Sequence, residues 1–101
     1  MSVIDEIAAE RQRQIDQDGW NAFHDAHHPK GELAAAGAAY ALHAARFHDA
    51  ENLGEHYAIK TPSPIWPWER QWWKPKSFRR DLVRAAALIV AEIERLDREA
   101  T

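Results

Sequence analysis

The stretch that decides the fold is SFRRDLVRAAALIVAEIERLDR, residues Ser77–Arg98. Within it Leu82, Ala86, Ile89, Ile93 and Leu96 follow one another at alternating spacings of four and three. That heptad-like rhythm belongs to an α-helix with a seam for packing along another helix. Asp81, Ala85, Leu88 and Glu92 flank the seam, and Ser77 stands where an N-cap belongs. A helix is therefore expected from about Ser77 to Arg98.

Two further helices are expected upstream. One starts near Gly31 or Glu32 and runs to about His48. Its alanine-rich middle lets a neighbouring helix approach closely, and Leu33, Tyr40, Ala44 and Phe47 share one stripe. The other runs from Ser2 to about Asp16 or Gln17, with Ser2 as N-cap, Asp5 and Glu6 in the first turn, and Gly19 as a stop. On that helix Val3, Ile7, Glu10 and Gln14 share a stripe at about 100° per residue. Glu10 is thus either a boundary residue with a solvated tip or a site carboxylate aimed into a pocket.

Between the helices lie the connecting loop GWNAFHDAHHPKG, residues 19–31, and a long irregular insertion, residues 49–77. The insertion contains TPSPIWPW, residues 61–68, whose prolines forbid a regular helix. Nothing reads as a strand. The expectation is a single all-α domain over residues 1–101: a small bundle of about three main helices with a long Trp/Pro-rich loop. So small a chain buries only part of its surface, and homo-oligomerisation is expected to help it.

Composition removes several function classes. The formal net charge is -3, without the positive field that duplex nucleic acid requires. No cysteine is present, which excludes thiolate metal sites, disulfide scaffolds and cysteine nucleophiles and fits a cytoplasmic protein. No apolar run approaches a membrane span, and Met1–Glu6 lacks the basic stretch and apolar core of a secretory signal. No glycine-rich phosphate loop or serine nucleophile elbow occurs.

Three constellations remain. Asp25, His28 and Glu32 are close enough in sequence to converge on a divalent cation, or Asp25 and His28 merely cap a helix. Asp81 and Glu32 each occupy the first turn of a helix. Facing each other they would repel unless Mg²⁺ or Mn²⁺ lay between them; otherwise Asp81 pairs with Arg79, Arg80 or Arg84. The third is WPWERQWWKPK, residues 66–76. Trp66, Trp68 and Trp73 offer faces for a nucleobase, and Lys74, Lys76 and Arg79 offer charge for phosphates. The alternatives are that Trp66 and Trp73 fill the core, or that the segment is a protein interface.

Taken in order, several segments resemble small phage proteins of the dATP/dGTP diphosphohydrolase-like group, within the all-α MazG-type nucleotide pyrophosphohydrolases. They are Ile7–Ile15 with Gly19 and Trp20, His24-Asp25 with His28, Gly31-Glu32-Leu33, Trp66-Pro67-Trp68, Trp73-Lys74-Pro75, and Arg80–Val83 running into Ala91–Asp97. The resemblance implies an oligomeric helical bundle that uses Mg²⁺ or Mn²⁺ to cleave a nucleoside triphosphate between its α and β phosphates. The products are a monophosphate and pyrophosphate, and purine deoxynucleotides are the implied substrates. Carried onto this chain, it implies Asp25, His28, Glu32 and Asp81 as metal ligands and Glu10 as a further ligand or general base. The chain has Ala35 and Phe78 where the family's paired acids stand. Two other readings stay open. One is a catalytically inactive phage-encoded protein that binds a nucleotide signal or a host protein and counters a host defence. The other is a small assembly protein whose seam serves only dimerisation.

Overall fold

Each helix begins where the sequence supplies a start signal. In the computed structural model, which describes residues 2–19, 31–49, 57–59 and 61–100, α1 spans Val3–Gln17. The Ser2 hydroxyl accepts from the Asp5 backbone N–H, and the Asp5 carboxylate accepts from that of Ser2, a reciprocal capping box. Helix α2 spans Glu32–Phe47 and is entered through Gly31 at φ 77°, a left-handed conformation that glycine adopts without a Cβ clash. Helix α3 spans Phe78–Ala100, and the Ser77 hydroxyl accepts from the Arg80 N–H at 3.3 Å. The insertion contributes two short 3₁₀ turns, Tyr57–Ile59 and Arg70–Trp72. Among the described residues there is no strand, and the fold is the small all-α bundle expected. Most of the 19–31 loop lies outside the described residues.

Helices α2 and α3 pack antiparallel. Gly37 lies against Ala85 and Leu88, Tyr40 lies under the Arg84 guanidinium, and the ring of His48 lies 5.9 Å from that of Phe78. The small residues of α2 permit this closeness. A Cβ at Gly37 would sit 3.0 Å from the Ala85 carbonyl oxygen and 3.1 Å from Ile89. The core consists of Leu33, Ala36, Ala39 and Tyr40 from α2, Ala85, Leu88 and Ala91 from α3, and Trp66 and Trp73 from the insertion. Tyr40 stacks on Trp73 at 4.7 Å and receives the edge of Trp66 at 5.4 Å. The irregular segment thus supplies the aromatic half of the core.

The face that α3 buries is not its heptad-like seam. Ala85, Leu88 and Ala91 face the core, while Leu82, Ile89, Ile93 and Leu96 are 42–52% exposed. The reason is steric: the alanine-rich wall of α2 admits the flatter Ala85–Leu88–Ala91 face at close range.

Helix α1 attaches differently again. Its buried residues are Glu10, Arg11 and Gln14, while Val3 and Ile4 are 57% and 74% exposed. Its links to α3 are ionic: Glu6 with Arg79, Glu10 with Arg80, and Arg11 with Glu94.

Leu88 is fully buried between α2 and α3, so Leu88→Ala is expected to cost about 3 kcal/mol. Urea unfolding followed by far-UV circular dichroism measures this. A cost near zero would mean that α2 and α3 do not pack in this register.

Candidate functional site

Asp81 is fully buried at the start of α3, and its carboxylate has donors on several sides. The Tyr57 hydroxyl donates at 2.7 Å, the Lys76 backbone N–H donates to both oxygens at 3.1 Å, and the Arg84 guanidinium lies 3.5 Å away. Burial raises its pKa above the usual carboxylate range, against the opposing pull of Tyr57, Lys76 and Arg84. Tyr57 responds in kind, since burial and the adjoining carboxylate push its phenol well up. The Tyr57 carbonyl oxygen lies 3.0 Å from Nε2 of His43, whose ring is also buried. These contacts fasten the insertion to both helices of the core.

Glu10 is another buried acid. Arg13 grips both of its oxygens at 2.8 and 2.9 Å, Gln14 donates at 3.0 Å, and Arg80 reaches it from α3. Burial pushes its pKa up, but Arg13, Arg80 and Gln14 outweigh that and hold it below the ordinary value. Gln14 Oε1 is buried with no hydrogen-bond partner.

Glu32 lies elsewhere. The antiparallel packing sets the first turns of α2 and α3 at opposite ends of the helix pair, so Glu32 and Asp81 do not face each other. The Glu32 carboxylate instead accepts from Trp68 Nε1 at 3.1 Å. Asp25 and His28 lie outside the described residues. Among the described residues no three acids or histidines come together to hold a metal ion. Glu10 and Asp81 already have protein donors and cations around them. As they stand, Glu10 and Asp81 are thus not free to take up Mg²⁺ or Mn²⁺.

The aromatic segment divides in the same way. Trp66 and Trp73 are 8% and 9% exposed and pack on Tyr40 and on each other, so they fill the core and present no stacking face. Trp68 is half-buried against Trp66. Trp72, which the sequence reading passed over, is 53% exposed, with Lys74 Nζ 5.9 Å from its ring centre. The neighbouring Trp73 begins a backbone run that caps Tyr40 and Asp81, and this orients Trp72 outward. The Lys74 backbone N–H donates to the Tyr40 hydroxyl, and its carbonyl accepts from Arg84. Lys76 holds Asp81 through its backbone and keeps an exposed side chain. Arg79 makes a bidentate pair with Glu6 at 2.7 Å and is largely exposed.

A cleft of about 290 Å³ opens where α2 ends and α3 begins. It is lined by Phe47, His48, Asp49, Tyr57, Ser77, Phe78 and Arg79. Sequence reading reached only Arg79 among these as a site residue. The others come from three separate segments, and no local pattern joins them.

Comparison with family models, with curated proteins and with solved structures finds no match to this chain.

Glu10 gives a pH prediction. A carboxyl whose folded pKa lies below its unfolded one binds fewer protons when folded. Its stabilisation is present above the unfolded value and is lost as pH falls through the folded one. Glu10 is such a group, so Glu10→Gln is expected to be less stable than wild type at neutral pH and to lose less stability on acidification. Urea titrations between about pH 3 and pH 7 measure both. Parallel acid limbs would exclude the ion-paired Glu10. Separately, Tyr57→Phe removes a donor from buried Asp81 and is expected to cost about 1–3 kcal/mol.

Proposed function

We propose that this chain binds a nucleotide in the cleft between the end of α2 and the start of α3. The observation that carries the reading is the company kept in that cleft. The rings of Phe47, His48, Tyr57 and Phe78 share it with Asp49 and with Ser77 and Arg79 at the N-terminal turn of a 23-residue helix. Aromatic rings stack on a base whatever its sequence context. A helix N-terminus presents backbone N–H groups and partial positive charge to phosphate, and an arginine adds a fork that matches phosphate oxygens. Arg79 is 66% exposed, so a phosphate in the cleft competes with Glu6 for its guanidinium. Lys76, close by in sequence and exposed, adds charge. The family resemblance favours purine nucleoside triphosphates, with the deoxy forms among them.

A second reading is metal-dependent hydrolysis of such a triphosphate to a monophosphate and pyrophosphate. What favours it is the Trp68 indole beside Glu32, an aromatic face next to a candidate ligand acid. It would draw its Mg²⁺ or Mn²⁺ ligands from Asp25, His28 and Glu32. What tells against it is the engagement of Glu10 and Asp81 by the chain's own cations and donors. The two readings use opposite ends of α2, which makes them separable.

The test is a panel of ribo- and deoxynucleoside triphosphates, each with Mg²⁺, Mn²⁺ or EDTA. Binding is read by calorimetry and products by ion-exchange chromatography. The binding reading expects a purine nucleotide to bind in EDTA without turnover. It also expects affinity to fall about tenfold or more, ~1.4 kcal/mol, in Arg79→Ala and in Phe78→Ala, with Glu32→Gln unchanged. Metal-dependent release of pyrophosphate that Glu32→Gln abolishes would replace it with the hydrolase. Binding of no nucleotide would remove both.

A further inference from the structure

The seam on α3 that the fold leaves uncovered has a definite chemistry. Leu82, Ile89, Val90, Ile93 and Leu96 are 42%, 44%, 37%, 52% and 49% exposed. They form one stripe on a single 23-residue helix. At about 100° per residue, Leu82, Ala86, Ile89, Ile93 and Leu96 fall within a narrow arc, the geometry of a knobs-into-holes seam. Single exposed aliphatic residues are ordinary, but a contiguous stripe marks an interaction surface.

The charges on the same helix select the occupant. From Phe78 to Ile89 its charges outside the core are Arg79 and Arg80, since Asp81 and Arg84 are buried. From Val90 to Ala100 they are Glu94, Asp97 and Glu99 against Arg98, since Glu92 and Arg95 are buried against each other. The N-terminal half is basic and the C-terminal half acidic, the reverse of what the helix dipole favours. An antiparallel copy of the same helix corrects this, because each basic half then lies along the acidic half of the other. A parallel copy would set like charge on like charge.

The area is also of the right order. The five exposed aliphatic side chains offer roughly 400 Å² per copy, and with the flanking charged stems a symmetric pair approaches the ~1,000 Å² at which a stable interface begins. The symmetry is that of a two-fold interface, in which one patch meets itself.

We infer that α3 pairs with α3 of a second copy of this chain, antiparallel along Leu82–Leu96, to form a homodimer. The pairing does not depend on the nucleotide reading. It is tested without any nucleotide, so either can fail alone.

Sedimentation equilibrium of the full chain across low to high micromolar concentration tests it. The expected mass is twice the 11.6 kDa of one chain. Ile93→Glu sits on the exposed seam, so it is expected to keep the wild-type helical circular dichroism and sediment as a monomer. Because the chain has no cysteine, direction is read by single-cysteine variants. A mixture of Leu82→Cys and Leu96→Cys chains is expected to oxidise to the mixed disulfide well above either self-disulfide. A monomeric wild type overturns the proposal. So does a dimer untouched by Ile93→Glu, or cross-linking confined to the self-disulfides.

Discussion

A carboxylate buried at the start of α3 governs how the pieces of this molecule meet. Asp81 takes the Tyr57 hydroxyl from one part of the insertion and the Lys76 backbone from another, with Arg84 beside it from the next turn of its own helix. An acid placed there without those donors would be costly. With them it sets where the insertion ends and where α3 begins. The backbone from Trp73 to Lys76 is thereby held against α2, with Tyr40 under Trp73 and Arg84 clamping the Lys74 carbonyl. The cleft at the junction of α2 and α3 follows from the same arrangement, since Tyr57 is both a partner of Asp81 and part of the cleft wall.

Helix α1 depends on a second charged centre of similar design. Glu10 has two arginines around it, one from its own helix and one from α3. Its ion pairs and hydrogen bonds make the attachment directional. An apolar contact tolerates sliding along a helix, whereas a bidentate guanidinium on a buried carboxylate does not. Asp81 and Glu10 therefore act as joints between segments of the fold, while a third buried acid, Glu92, pairs with Arg95 on its own helix.

Much of this was legible in the sequence. The three helices and their starts follow from Ser2, Gly31 and Ser77, residues whose backbone preferences act locally. Glu10 was half legible: the helical period put it on the stripe of Ile7 but left open a solvated tip or an inward carboxylate. Its partner Arg80 lies 70 residues away, and no local pattern announces such a pair. The division of the tryptophans was partly legible: core filling by Trp66 and Trp73 was one of three open readings. Which of them face inward is decided by the ring of Tyr40, a long-range neighbour. The buried face of α3 was misread for a related reason. The helix has two apolar faces side by side, and periodicity favours the stronger aliphatic one. The steric fit to an alanine-rich partner favours the other.

The aromatic half of the core also shapes how the molecule reaches its folded state. Docking Trp73 on Tyr40 closes a chain segment of about 33 residues, at a loop-closure entropy of ~3 kcal/mol beyond a constant. Helices form quickly because their contacts are local, whereas pairing α2 with α3 is itself a distant closure, 48 residues from Gly37 to Ala85. The rings of Trp66 and Trp73 arrive on a segment with little regular structure to guide them. Both layers of the core are thus built from contacts distant in sequence, and the Asp81 junction ties the insertion to them.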